Sequence, residues 1–133
     1  MDDHKILIVD DDTWILSCFQ RMLGRSFNLE TAIGPLQAVQ FITTRGPYAL
    51  VLSDLKMPCM DGLALLAKVK EMSPGTIRLL LTGYADLHEI GKSLQSGLVY
   101  KLVEKPCPLD QLKIILEEAL TKYEENLLQV QAR

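Results

Sequence analysis

Four apolar residues, Ile6 to Val9, run without a polar break into three consecutive carboxylates, Asp10, Asp11 and Asp12. A short run rich in β-branched residues predicts a buried strand. Similar runs recur at "YALVLSD" (48–54), "IRLLLTG" (77–83) and "VYKLVEK" (99–105), and "FNLETA" (27–32) alternates as a strand does. Between them the apolar spacing changes to that of helices. Ile15, Leu16, Phe19, Met22 and Leu23 fall on the inner face of a helix that Asp11 or Asp12 caps and Gly24 stops. A second helix spans 34–46, with Pro35 at its start and Gly46 at its end. A third runs from Leu63 to Met72 and is broken by "SPG" (73–75); a fourth covers 86–96 and ends at Gly97; a long fifth covers 108–130.

Five strands thus alternate with five helices. Such alternation, with continuously apolar strands, predicts an α/β fold: a doubly wound five-stranded parallel sheet with helices on both faces. The 133 residues suit one domain. No apolar run reaches the ~20 residues of a membrane helix. The polar, acidic start "MDDHK" is no secretory signal, so a cytoplasmic setting is expected. Net charge is −3 with both signs interspersed, which argues against nucleic-acid binding by bulk charge. Cys18, Cys59 and Cys107 have neither the number nor the spacing of a disulfide framework or a zinc site, and read as incidental thiols. His4 and His88 have no spaced partners and read as surface residues; Trp14 reads as packing or a partly exposed pocket wall.

In such a sheet ligands bind outside the carboxyl ends of the strands. There the chain places Asp10 and Asp11, Asp54, Thr82 and Lys105, while Asp12 is left to cap the first helix. Clustered carboxylates repel one another unless a hard divalent cation lies among them, and Mg²⁺ takes oxygen ligands of this kind. An aspartate can accept a phosphoryl group, whose remaining oxygens a lysine and a hydroxyl can bind. The rim suits phosphoryl transfer to a carboxylate.

"ILIVDDD", "VLSDLKMPCMDG", "LLLTGYAD" and "LVEKP" resemble the receiver domain of two-component response regulators, in order and over most of the chain. The resemblance implies a flavodoxin-like receiver fold and phosphorylation of Asp54 by a histidine kinase or phosphotransfer protein. It implies Mg²⁺ on the side chains of Asp11 and Asp54 and the backbone carbonyl of Lys56, with Asp10 acting through water. Thr82 is then the switch hydroxyl, Lys105 the phosphate-binding lysine, and Lys105–Pro106 a cis bond. Such a domain signals rather than turning over a substrate. The sequence departs from the family at Leu102, where an aromatic switch residue is usual; Tyr100 lies two positions earlier. Lys56 and Tyr84 occupy the positions that flank the approach of hydrolytic water, and Tyr84 is bulky enough to shield a phosphoryl group.

"DDDT" (10–13) also fits the pattern of haloacid-dehalogenase-type phosphatases, with Asp10 as nucleophile. That alternative lacks an acidic pair beyond Lys105 and a cap domain, and leaves "DLKMPCMDG" unexplained. A receiver that only binds partners is disfavoured by the full set of pocket groups. In the last helix, apolar residues recur from Leu109 at Leu112, Leu116, Ala119 and Tyr123, then at Leu127 and Val130 after a slip. Residues 1–120 are expected to form the receiver. Residues 121–133 are expected to extend the last helix, either as a frayed tail or as a short coiled coil that joins two chains or leads to an output domain. The chain shows no DNA-binding or catalytic output domain of its own.

Overall fold

The computed structural model describes residues 4–83 and 86–132. The elements follow in strict alternation: β1 Lys5–Asp10, α1 Thr13–Leu23, β2 Asn28–Ile33, α2 Gly34–Arg45, β3 Leu50–Asp54, α3 Gly62–Met72, β4 Ile77–Gly83, α4 Leu87–Gln95, β5 Lys101–Lys105 and α5 Leu109–Ala132. The strands form one parallel sheet in the order β2-β1-β3-β4-β5, so strand order reverses between β1 and β3. Fold class and element order match the sequence expectation. The ends differ by a few residues, most at β3 and β5, which begin two residues later than the apolar runs suggest.

Side chains alternate across the strands and build a core on each face. Ile6, Ile8, Leu50, Leu52 and Leu79 pack with Leu16 and Leu23 of α1 and Leu112 and Leu116 of α5. Leu7, Val9, Val51 and Leu80 pack with Ile42 of α2, Leu65 and Leu66 of α3 and Ile90 of α4. Leu102 is half-buried against this second core. Not all of the inner face assigned to α1 is inside. Met22 is 45% exposed, because it sits at the margin of the stripe beside Leu23, which is fully buried.

Asp12 caps α1 by accepting the N–H of Trp14 at 2.9 Å, and Trp14 itself stands 66% exposed. Gly24 ends α1 in the right-handed region, its N–H bonded to the carbonyl of Gln20, rather than in the left-handed turn common at such glycines. Gly97, which follows α4, does adopt positive φ. The Lys105–Pro106 bond is cis, as expected, and so is Gly46–Pro47.

At the amino end of the sheet Tyr48 is buried and donates its hydroxyl to Glu30 at 2.7 Å. Burial, reinforced by Glu30, pushes the phenol well above its ordinary range. The Lys5 ammonium lies 4.9 Å from the centre of the Tyr48 ring and also donates to the carbonyl of Arg45, whose guanidinium is 3.6 Å from Glu30. Arg78 of β4 donates to the carbonyls of Leu98, at 2.7 Å, and Thr76, at 3.0 Å, and so holds the loop between α4 and β5.

α5 stays attached to the domain beyond Leu120. Tyr123 packs against the first core, and Glu124 lies 3.2 Å from His4, whose ring meets Tyr123 edge-on. His4 is thus a partnered residue rather than an idle surface one, and the side chain of His88 lies outside the described residues. Farther along, Leu127, Leu128 and Val130 are exposed.

Candidate functional site

β1 and β3 are adjacent, and Val9 pairs with Ser53, so the next residues, Asp10 and Asp54, stand level at the two strand ends. Leu81 pairs with Asp54, which sets Thr82 one step beyond it, and Gly83 pairs with Lys105. Register alone therefore gathers the predicted residues on one rim. Asp10, Asp54 and Thr82 are buried, while Asp11 is exposed at the mouth. Carboxylate oxygens of Asp10, Asp11 and Asp54 all lie within 4.8 Å of one another. The ammonium of Lys105 is paired with Oδ1 of Asp54.

The electrostatics are those of a site short of positive charge. Burial pushes the Asp10 carboxyl above its ordinary value, the Asp12 N–H donating to Oδ1 at 2.9 Å pulls it back, and the charge of Asp54 raises it again. Thr82 donates to the carbonyl of Gly83 at a long 3.4 Å, so its hydroxyl is only weakly committed. An all-oxygen set of three carboxylates around one point has the chemistry of a hard-cation site, and Mg²⁺ fits that donor set.

The loop after β3 is tightly folded back on the strand. Ser53 donates its hydroxyl to the carbonyl of Asp54, Leu55 N–H to Leu81, and Gly62 N–H to Leu55 at 2.7 Å. Asp61 caps α3 by accepting the N–H of Ala64 at 2.8 Å. Cys59 adopts φ 72°, a left-handed conformation at a non-glycine residue. Lys56 lies in this loop two residues past Asp54, but its side chain, 78% exposed, turns to Asp86, with Nζ 3.7 Å from Oδ2. Asp86 was not singled out from the sequence. Inside a helix expected over 86–96 it is one polar residue among several, and a partner thirty residues upstream leaves no periodic mark. Tyr84 lies outside the described residues.

Beside the rim an apolar cleft of about 550 Å³ opens between α1 and the start of α5. Ile15, Cys18 and Phe19 form one wall and Pro106, Cys107 and Leu112 the other, with Asp10 and Lys105 at the end nearest the carboxylates. Two of the three free thiols therefore face one cleft, and Cys59 is exposed elsewhere on the rim.

A family model described as the response regulator receiver domain matches residues 6–117. Over 120 residues the chain is 34% identical to the transcriptional regulatory protein ZraR of Escherichia coli and 33% identical to the DNA-binding transcriptional regulator NtrC of Klebsiella pneumoniae. Each alignment covers 90% of this chain but only 27% and 25% of those proteins, so the chain spans about a quarter of the length of the curated relatives it matches. Among solved structures, the signal receiver domain of an HD domain-containing protein from Pseudomonas fluorescens superposes with a TM-score of 0.83 at 35% identity, covering 92% of this chain and 98% of that one. A structure described as adenylate cyclase from Rhodopirellula baltica superposes with a TM-score of 0.94 at 27% identity, covering 97% and 96%. The family match runs through "DLKMPCMDG", the stretch that the phosphatase alternative leaves unexplained, and that alternative is not favoured. The chain belongs to the response regulator receiver domain family.

Proposed function

We propose that Asp54 accepts a phosphoryl group from a histidine kinase or phosphotransfer protein. The observation that carries this reading is the placement of Asp54, paired with Lys105 and within 4.8 Å of two further carboxylates. An oxygen of Asp54 attacks phosphorus, the phosphorus–nitrogen bond to the donor histidine breaks, and an aspartyl-phosphate forms. Lys105 transfers its attraction from the carboxylate to a phosphoryl oxygen. Thr82 gives up its long bond to Gly83 and donates to another, which draws the end of β4 toward Asp54. Asp10, Asp11 and Asp54, with the carbonyl of Lys56, would hold Mg²⁺, which when bound neutralises charge on the phosphoryl oxygens. With Leu102 where the family usually has an aromatic ring, the shift of Thr82 acts on α4 directly rather than through a ring flip. A donor that reaches Asp54 also meets the apolar cleft between α1 and α5.

No described helix is long and apolar enough to cross a membrane, and we place the domain in the cytoplasm, where three free thiols are at home. Beyond Glu125 α5 continues past its contacts with the first core, and Leu127, Leu128 and Val130 give this part of it an apolar surface on which a second copy can pair. We read the domain itself as no nucleic-acid binder; DNA-binding is stated of NtrC as a whole protein.

The test of the phosphoacceptor is direct. Acetyl phosphate with Mg²⁺ should add one phosphoryl mass to the parent chain, removable by hydroxylamine, and none to Asp54→Asn. Hydroxylamine-labile labelling that persists in Asp54→Asn would place the acceptor elsewhere.

A further inference from the structure

Three helices, α1, α3 and α4, begin behind an aspartate, and only two of those aspartates cap. Asp12 and Asp61 are extended, and each accepts a backbone N–H of its own helix. Asp86 is right-handed, with φ −95° and ψ −8°, and its side chain makes no capping bond. Its Oδ2 instead faces the ammonium of Lys56, which lies in the loop two residues past Asp54. The carboxylate best placed to finish α4 is thus engaged by a cation from the phosphoacceptor loop.

We propose that the Lys56–Asp86 pair is a latch that couples phosphorylation to the first turn of α4, an inference that rests on the reading of Asp54 as phosphoacceptor. A phosphoryl group on Asp54 brings roughly −1.5 to −2 charge next to Lys56. It competes with Asp86 for an ammonium that is otherwise largely solvated. An exposed ion pair and an N-cap are of similar strength, so the added anion is enough to tip the balance. Released, Asp86 moves to extended backbone and accepts an N–H of α4, as Asp12 and Asp61 already do for their helices. The helix gains order at the end nearest Thr82, while Arg78 keeps the loop beyond its other end fixed.

Hydrogen exchange at the backbone amides of residues 88 and 89 reads the cap. Without any phosphodonor, Lys56→Met should raise their protection about fivefold, the equivalent of one cap. The parent should reach that level only after treatment with acetyl phosphate and Mg²⁺, and Lys56→Met should then gain nothing more. Adding Asp86→Ala to Lys56→Met should abolish the gain. Unchanged protection in Lys56→Met, a gain that survives Asp86→Ala, or a parent labelled on Asp54 with no rise would each overturn the latch. If the parent takes up no phosphoryl mass, it is the Asp54 reading that fails, and the comparison without phosphodonor still judges the ion pair.

Discussion

The carbonyl oxygen of Asp54 lies within clashing distance of the place that a Cβ on Gly62 would occupy. The first residue of α3 is therefore pressed against the backbone of the proposed phosphoacceptor, and the Gly62 N–H bond to Leu55 holds it there. Glycine is needed at this point for close approach and not for conformation, since its φ is not positive. Gly62→Ala is expected to cost about 1–3 kcal/mol, read as a lower urea midpoint, because the clash is with backbone that cannot rotate away. It should also slow labelling of Asp54 by acetyl phosphate. Full stability in Gly62→Ala would show that the loop yields without cost.

Asp10 gives the metal-free protein a particular pH dependence. Its folded value is raised, chiefly by burial, so the folded state holds a proton there more tightly than the unfolded chain does. That contribution to stability is complete at acid pH, below the ordinary carboxylate value, and is lost as pH rises through the folded value. Asp10→Asn keeps an oxygen to accept the Asp12 N–H and removes the charge. It should raise the melting temperature of the metal-free protein at neutral pH by several degrees and flatten this component of the pH profile. Millimolar Mg²⁺ should stabilise the parent, and Asp11→Asn should lose most of that gain. Thermal denaturation with EDTA and with Mg²⁺ checks both.

Cys59 is exposed, at φ 72°. A left-handed backbone costs an ordinary residue roughly 1–2 kcal/mol, and glycine returns about 0.4–1 kcal/mol of that as unfolded-state entropy. Cys59→Gly should therefore stabilise the domain by about 0.5–1 kcal/mol, and Cys59→Val should destabilise it. Equal midpoints for the two variants would mean that the turn relaxes around either residue.

The last helix separates two contributions. Tyr123 and Glu124 contact the core and His4, whereas Leu127, Leu128 and Val130 face outward. Truncation after Leu120 should lower stability by about 1–2 kcal/mol through the lost packing of Tyr123. Truncation after Glu125 should leave stability unchanged and abolish any self-association seen by sedimentation of the full chain. Association that survives truncation after Glu125 would move the contact to another face.

At β1 and β4 the strand end was legible in the sequence, because a continuous apolar run gives way at once to Asp10 and to Thr82. Ser53 precedes Asp54 and Glu104 precedes Lys105, so at β3 and β5 the rim residue was marked by the family motifs rather than by the apolar run, and parallel register brought all four together. What could not be read depends on contacts without period. The diversion of Asp86 to Lys56, the grip of Arg78 on the carbonyls of Thr76 and Leu98 and the left-handed turn at Cys59 are set by where distant loops meet. Met22 was misplaced for a related reason, since helical periodicity gives the direction of a face but not where its cover ends.

The bonded cluster of Tyr48, Glu30, Lys5 and Arg45 occupies the end of the sheet opposite the carboxylates. A strand of five residues separates the two, on the order of 17 Å, or about twice the screening length at physiological salt. Asp10, Asp54 and Tyr48 are buried and so are screened only in part, but Lys5, Glu30 and Arg45 reach solvent, and a charge change at the rim is felt only weakly among them. The molecule can gain and lose a dianion at one end while the end that anchors β1, β2 and β3 senses little of it, so durability and responsiveness can be varied separately by mutation.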